Sequence, residues 1–308
     1  MFKKKALQII GTLFGLGLVF FWVDVSALYA HALQLGWLLF GIVLVATALR
    51  LLGGGIRCMR LFQKGALTLS DSVSGYMLSA YVSLFLPTAI GGDALRVVYL
   101  SKRGQVDRAT AAAVVIAERA AGLVAMVILL FIALAFLPSS FLEKGFETIF
   151  AAVAAVTLGI IALIVLSRVH RFEKSPPWLK NFSTALHSFQ NKPLVMELVF
   201  WSLLTQFTAI VVPASVGLLS VGGGVETAMQ LAAITPVVWL ITMLPISLGG
   251  NGLREASYVA IAELLGMNTA IALVASLALT ISNLLPSLVG VFVFHRFREK
   301  NPDNFPDA

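Results

Sequence analysis

Cysteine is almost missing from this chain. Its 308 residues hold only Cys58, which excludes an intramolecular disulfide and a cysteine-built metal cluster. Charge is scarce as well, since Asp, Glu, Lys and Arg make up 12% of residues, about half the share in an average soluble domain. No polar stretch between apolar blocks exceeds about 30 residues, too few for a soluble catalytic domain. The four histidines, His31, His170, His187 and His295, fall in loops or at helix ends without HExxH-like spacing and read as surface residues. No metal-ligand set and no cofactor motif stands out. Gly53-Gly54-Gly55 lacks the Lys-Ser/Thr that completes a phosphate-binding P-loop, and reads as a loop at a helix end.

What the chain has in abundance is apolar length. Hydrophobic residues make up 59% and mean hydropathy is +0.93. The apolar residues come in blocks of roughly 16 to 27, the length that crosses a bilayer core of about 30 Å. A transmembrane barrel would instead show short segments of alternating hydrophobicity. The fold class is therefore an all-α polytopic membrane protein. The net charge of +7 does not indicate nucleic-acid binding, because the basic residues are spread over loops between apolar blocks.

Those basic residues report topology. Lys3-Lys4-Lys5 precedes an apolar block at 6–23, read as an uncleaved first helix rather than a signal peptide because Asp24, Ser26 and His31 separate it from a cleavage-like site. A second helix, 33–52, is expected to close at Arg50, Arg57, Arg60 and Lys64. The run 72–86 is about 22 Å long as a helix, too short to cross comfortably. Lys102, Arg103 and Arg108 return the chain to the side it came from, so 72–100 is expected to be a re-entrant hairpin. Helices at 110–137, 148–166 and 194–216 follow, with a basic inner linker at 168–192. The block 228–248 opens a second hairpin, re-entrant or fully spanning with Pro236 as a kink, and 269–294 is the last helix. On this assignment 19 of the 22 Lys and Arg lie in inner segments, which puts both termini on the cytoplasmic side of a plasma or inner membrane.

Two stretches organise the sequence. Residues 86–96, LPTAIGGDALR, and 244–254, LPISLGGNGLR, share six of eleven positions and lie 158 apart. Each ends one helix with proline, turns on a glycine pair, offers Asp93 or Asn251 as the cap of the next helix and sets Arg96 or Arg254 three residues on. The halves 6–137 and 148–294 each read helix, helix, hairpin, helix, and start from opposite sides. The expectation is one transmembrane domain over 1–308, built of two inverted-topology repeats with six full helices and two opposed hairpins. Secondary transporters place their substrate sites at such an interface.

The chemistry of the tips has a sign. A helix N-terminus presents free N–H groups and partial positive charge, and arginine grips phosphate with two parallel bonds. Pro87, Gly91, Gly92, Asp93, Arg96, Pro245, Gly249, Gly250, Asn251 and Arg254 are thus candidate substrate-binding residues. The alternative role for the glycines is helix packing, and for Arg96 an ion pair with Asp93 or escape to the inner surface. A charge at membrane depth costs roughly 2.5–3.5 kcal/mol, so such groups need a polar cavity or a partner. Glu118 and Arg119, adjacent on a helix and about 100° apart, are expected to seek separate partners among Asp93, Arg96 and Arg254. Together with Glu255 they are candidates for ion pairing or proton coupling. Asn283 and Pro286 soften or kink the last helix.

At these residues the chain resembles a known group. Pro245, Gly249, Gly250, Arg254 and Glu255, the earlier Pro87, Gly91, Gly92, Asp93 and Arg96, and the Glu118-Arg119…Gly122-Leu123 element look like the flippase-like membrane domain of the lysylphosphatidylglycerol synthases. That domain also occurs as stand-alone proteins. The resemblance covers nearly the whole chain. It implies lipid translocation without the aminoacyl-transfer chemistry of the full-length synthases, whose soluble domain is not present here. Three classes of function then compete. The first is a flippase or scramblase for a lipid with an anionic, phosphate-bearing headgroup; the second is a membrane-embedded enzyme on a lipid phosphate. The third is a scaffold for a lipid-modifying partner enzyme.

Overall fold

A computed structural model describes residues 25–62, 65–86, 92–135, 192–242, 247 and 250–300. They form eight α-helices and no strand. In chain order these are α1 (Val25–Leu61), α2 (Leu69–Ser83), α3 (Gly92–Arg103), α4 (Arg108–Ala135), α5 (Lys192–Leu219), α6 (Val225–Thr242), α7 (Leu253–Leu264) and α8 (Thr269–Lys300). The expected helices at 6–23 and 148–166, the linker at 168–192 up to the start of α5, and both proline turns lie outside the described residues.

Five helices carry stretches long and apolar enough to cross a membrane: Leu35–Leu61, Arg108–Ile132, Leu194–Leu219, Val225–Thr242 and Thr269–Lys300. Their outer faces are apolar, with Trp37 87%, Phe200 60%, Leu288 63% and Phe292 69% exposed, a surface suited to lipid rather than water. The chain is a multi-pass membrane protein. α2, α3 and α7 are shorter, at 15, 12 and 12 residues. Thr68 caps α2, its hydroxyl accepting from the Asp71 amide while the Asp71 carboxylate reaches back to the Thr68 N–H. The sequence of long, short, short, long in α1–α4 recurs as long, intermediate, short, long in α5–α8.

One expectation fails at α1. Gly53-Gly54-Gly55 does not end the helix but lies inside it, so Arg50 is an interior rather than a closing residue and Arg57 is helical rather than in a loop. The glycines serve packing. A Cβ on Gly54 would lie 2.9 Å from the Tyr76 ring, and one on Gly55 2.6 Å from Val73 Cγ2, so only a bare backbone lets α2 approach this closely. The same device recurs at α8, where a Cβ on Gly290 would collide with the Met77 carbonyl of α2. Gly290→Ala is therefore expected to cost about 1–3 kcal/mol, read as a lower melting temperature of the purified protein; an unchanged melting temperature would show that α8 and α2 separate freely.

The helices enclose two apolar cores. One gathers Val43, Val127, Leu130, Val212, Leu231, Ile234, Tyr258, Ile271 and their neighbours. The other gathers Cys58, Leu61, Leu78, Tyr99, Leu100, Val114, Leu198 and Phe297. Four helices, α1, α4, α5 and α8, contribute to both. Between the two apolar patches each of them turns polar side chains toward a cavity: Arg50 and Arg57, Glu118 and Arg119, Thr205 and Gln206, and Thr280 and Asn283. Apart from Arg57, one turn from the end of α1, these positions fall well inside helices long enough to cross a bilayer.

Candidate functional site

The cavity has a volume of about 330 Å³. Five arginines line it, Arg50, Arg57, Arg96, Arg119 and Arg254, against two carboxylates, Asp93 and Glu118. Its wall thus carries a formal excess of three positive charges. Residues of both glycine-rich signatures meet here: Asp93 and Arg96 after the first, Asn251 and Arg254 at the second. Gly92 and Gly250 stand close by in sequence. Pro87, Gly91, Pro245 and Gly249 lie outside the described residues.

In the first half of the cavity each arginine is paired with a carboxylate. Glu118, only 1% exposed, accepts from Arg96 Nη2 at 2.6 Å and from Arg57 Nε at 3.4 Å. Tyr76 donates its hydroxyl to the same carboxylate at 2.5 Å and accepts from Arg57 Nη2 at 3.1 Å. The Tyr76 ring lies 3.6 Å below the Arg96 guanidinium, and Ser202 accepts from Arg57 Nη1 at 2.9 Å. One carboxylate and one phenol therefore hold two buried cations, the arrangement that low-dielectric burial demands. Arg96 does not escape to the surface: at 2% exposure it is among the most deeply buried side chains. Nor does it pair with Asp93. The Asp93 carboxylate instead takes Arg119 Nε at 2.6 Å and the Ser79 hydroxyl at 3.0 Å. Adjacent residues on α4 thus hold separate partners on α3, as a 100° offset requires.

The capping expectation needs correction at both signatures. Asp93 lies within the first turn of α3, and its carboxylate is committed to Arg119 and Ser79. The Gly92 N–H that opens α3 donates to Ser83 Oγ at 3.1 Å. At α7 the cap is Gly252, with φ 77°, rather than Asn251, because glycine takes the left-handed conformation without a Cβ clash. Glu255 then stands at the third helical position and accepts the Gly252 N–H at 2.6 Å. One N–H at each helix start thus has a side-chain partner within the chain, and five arginine side chains give the cavity its sign.

The second half is different. Arg50 Nη2 donates to the Ser282 carbonyl at 2.8 Å and to its hydroxyl at 3.2 Å. Arg254 donates to Thr280 Oγ1 at 3.0 Å and to Asn251 Oδ1 at 3.4 Å. Every one of these partners is neutral. Glu255 is buried at 3% exposure and serves Gly252, Thr280 and Ser276 rather than either arginine.

Several lining residues were not foreseen from the sequence, above all Arg50, Arg57, Tyr76, Gln206, Trp239 and Thr280. A signal for three of them was present. Arg50, Gly54 and Arg57 stand at i, i+4 and i+7, one face of a helix, and all three line the cavity. Treating the glycines as a break hid that face.

A bundle of spanning helices around a cationic polar cavity defines a multi-pass membrane protein with a charged interior site. Against known families, the chain matches the lysylphosphatidylglycerol synthase TM region over residues 8–290, and it belongs to that family. No curated protein and no solved structure matches it. Membership ties the chain to membrane lipids.

Proposed function

We propose that this protein moves a lipid with an anionic, phosphate-bearing headgroup between the two leaflets. The observation that carries the reading is the cavity wall: five arginines against two carboxylates, contributed by the spanning helices α1 and α4 and by the short helices α3 and α7 packed among them. Keeping so many cations inside such a bundle is costly unless a negatively charged guest offsets them. About 330 Å³ is at the small end of ligand pockets and admits a headgroup while leaving acyl chains outside. Arg119, whose side chain is 39% exposed, and Leu284 connect this lining to the outer surface of the bundle, a route for a lipid to enter from the side.

In this reading α1–α4 and α5–α8 belong to inverted repeats, and the helix pairs α2–α3 and α6–α7 are hairpins whose signatures converge on one site. The repeated element order and the shared cavity support it. Both termini face the cytoplasm of a plasma or inner membrane, as the loop charges indicate. The protein is a transporter rather than an enzyme. That both carboxylates of the lining are engaged by arginine supports this reading.

The test is reconstitution of purified protein in liposomes with headgroup-labelled phosphatidylglycerol. Faster loss of inner-leaflet protection than in protein-free liposomes is expected. Equal rates for every phosphate-bearing lipid tried would remove the transport reading.

A further inference from the structure

Three of the cavity's arginines are accounted for by carboxylates. Arg57 and Arg96 share Glu118, and Arg119 has Asp93. Arg50 and Arg254 are not: among the described residues neither pairs with an acid, and each is held by neutral oxygens alone. Both line the same cavity. Two like charges facing one enclosed space, without a counter-charge, are a poor arrangement for stability alone. The nearest acid in sequence, Glu255, is drawn away by the α7 cap and by the Thr280 hydroxyl, which bonds it at 2.6 Å.

The neutral partners fix both guanidiniums in place without consuming them. Each guanidinium has five N–H donors, and the bonds above engage only one nitrogen of Arg50 and two of Arg254. What remains is a pair of forks from α1 and α7, joined in the lining by the amide of Asn283. A phosphate ester matches two such forks, since its non-bridging oxygens each accept from more than one N–H.

We infer that Arg50 and Arg254 form the phosphate subsite of this cavity, and that the Arg57–Arg96–Glu118 cluster opposite is a prebuilt support that does not bind the anion itself. The inference rests on the reading of the cavity as a lipid headgroup site. The ligand chemistry is a phosphomonoester or phosphodiester. Arg50 from α1 and Arg254 from α7 share the non-bridging oxygens of the phosphate, so the anion bridges the first and the second half of the chain. Binding therefore draws together two helices that meet few charged contacts otherwise, and the mutual repulsion of the empty pair keeps them ready to part when the phosphate leaves.

The test uses the purified full chain in detergent, with fluorescent phosphatidylglycerol as probe and unlabelled phosphatidylglycerol, diacylglycerol and inorganic phosphate as competitors. Arg50→Gln and Arg254→Gln are each expected to weaken probe binding about tenfold or more. Arg60→Gln, at a surface pair with Glu197, is expected to change nothing. Arg50→Lys and Arg254→Lys keep the charge but lose the fork, and are expected to weaken binding about threefold at an unchanged melting temperature. The lysine variants decide the matter where a glutamine variant fails to fold. Wild-type affinity in both lysine variants, or in both folded glutamine variants, overturns the subsite, as does diacylglycerol competing as well as phosphatidylglycerol. Competition by inorganic phosphate that is lost in the variants supports the subsite with free phosphate as a ligand. Competition by phosphatidylglycerol alone supports it with a lipid headgroup. Because binding in detergent needs no second compartment, its loss is separable from a failure of transport.

Discussion

Glu118→Gln is expected to lower the melting temperature of the purified protein by about 5–10 °C. The carboxylate is the only acid within ion-pair distance of Arg57 and Arg96 among the described residues, and Arg96 is 2% exposed. Removing it strands two buried cations, which in soluble proteins costs about 3–5 kcal/mol. In a membrane the unfolded helices also find partners, so about 2–4 kcal/mol is the working figure, and each kcal/mol moves the melting temperature of a chain this size by about 2–4 °C. The double variant Glu118→Gln with Arg96→Gln removes one stranded cation as well, and is expected to melt above the sum of the two single effects. A single variant melting within about 2 °C of wild type would mean that Tyr76 and Ser202 hold both arginines unaided.

Gly92→Ala is the second large effect. A Cβ there would collide with the Ser79 carbonyl and with Ser83 Oγ, and a backbone carbonyl in the middle of α2 cannot move aside. The added methyl pushes α3 away from α2, and the next residue, Asp93, carries the bonds to Arg119 and Ser79. A stability loss of about 1–3 kcal/mol is expected from the overpacking itself. Most lipid transport should vanish with it, because the α3 side of the cavity is displaced. Gly41→Ala is the control: nothing lies within 4 Å of its Cβ, and alanine is the better helix former. A Gly92→Ala protein that melts and transports like Gly41→Ala would contradict the close approach of α2 and α3.

Much of this arrangement was legible in the sequence. Apolar block length located four of the spans to within a few residues at one or both ends, since a bilayer fixes helix length directly. The two glycine signatures were recognised as convergent because they repeat. Arg96, Glu118, Arg119 and Arg254 stood out because charge is rare in such a chain. So did their separate partners: Glu118 holds Arg96 and Arg119 holds Asp93, both among the expected candidates, and the alternative pair of Asp93 with Arg96 is not made. What escaped was depth. Arg50 was placed at the inner end of its helix and Arg57 in the loop beyond, because three glycines follow Arg50 closely, whereas in a membrane such glycines let helices touch. With Arg96 they account for three of the basic residues assigned to inner segments, and all three line the cavity. The cap at α7 shifted by one residue because Gly252 can adopt a positive φ and Asn251 is needed for Arg254.

Transport of headgroup-labelled phosphatidylglycerol by the Arg50→Gln, Arg254→Gln double variant, set beside wild type at equal protein per liposome, tests the cationic cavity most directly. A loss of about tenfold or more in the rate, with melting temperature preserved, is the predicted result. Wild-type rates in the folded double variant would contradict it, and would mean that phosphate crosses the membrane without meeting these two arginines.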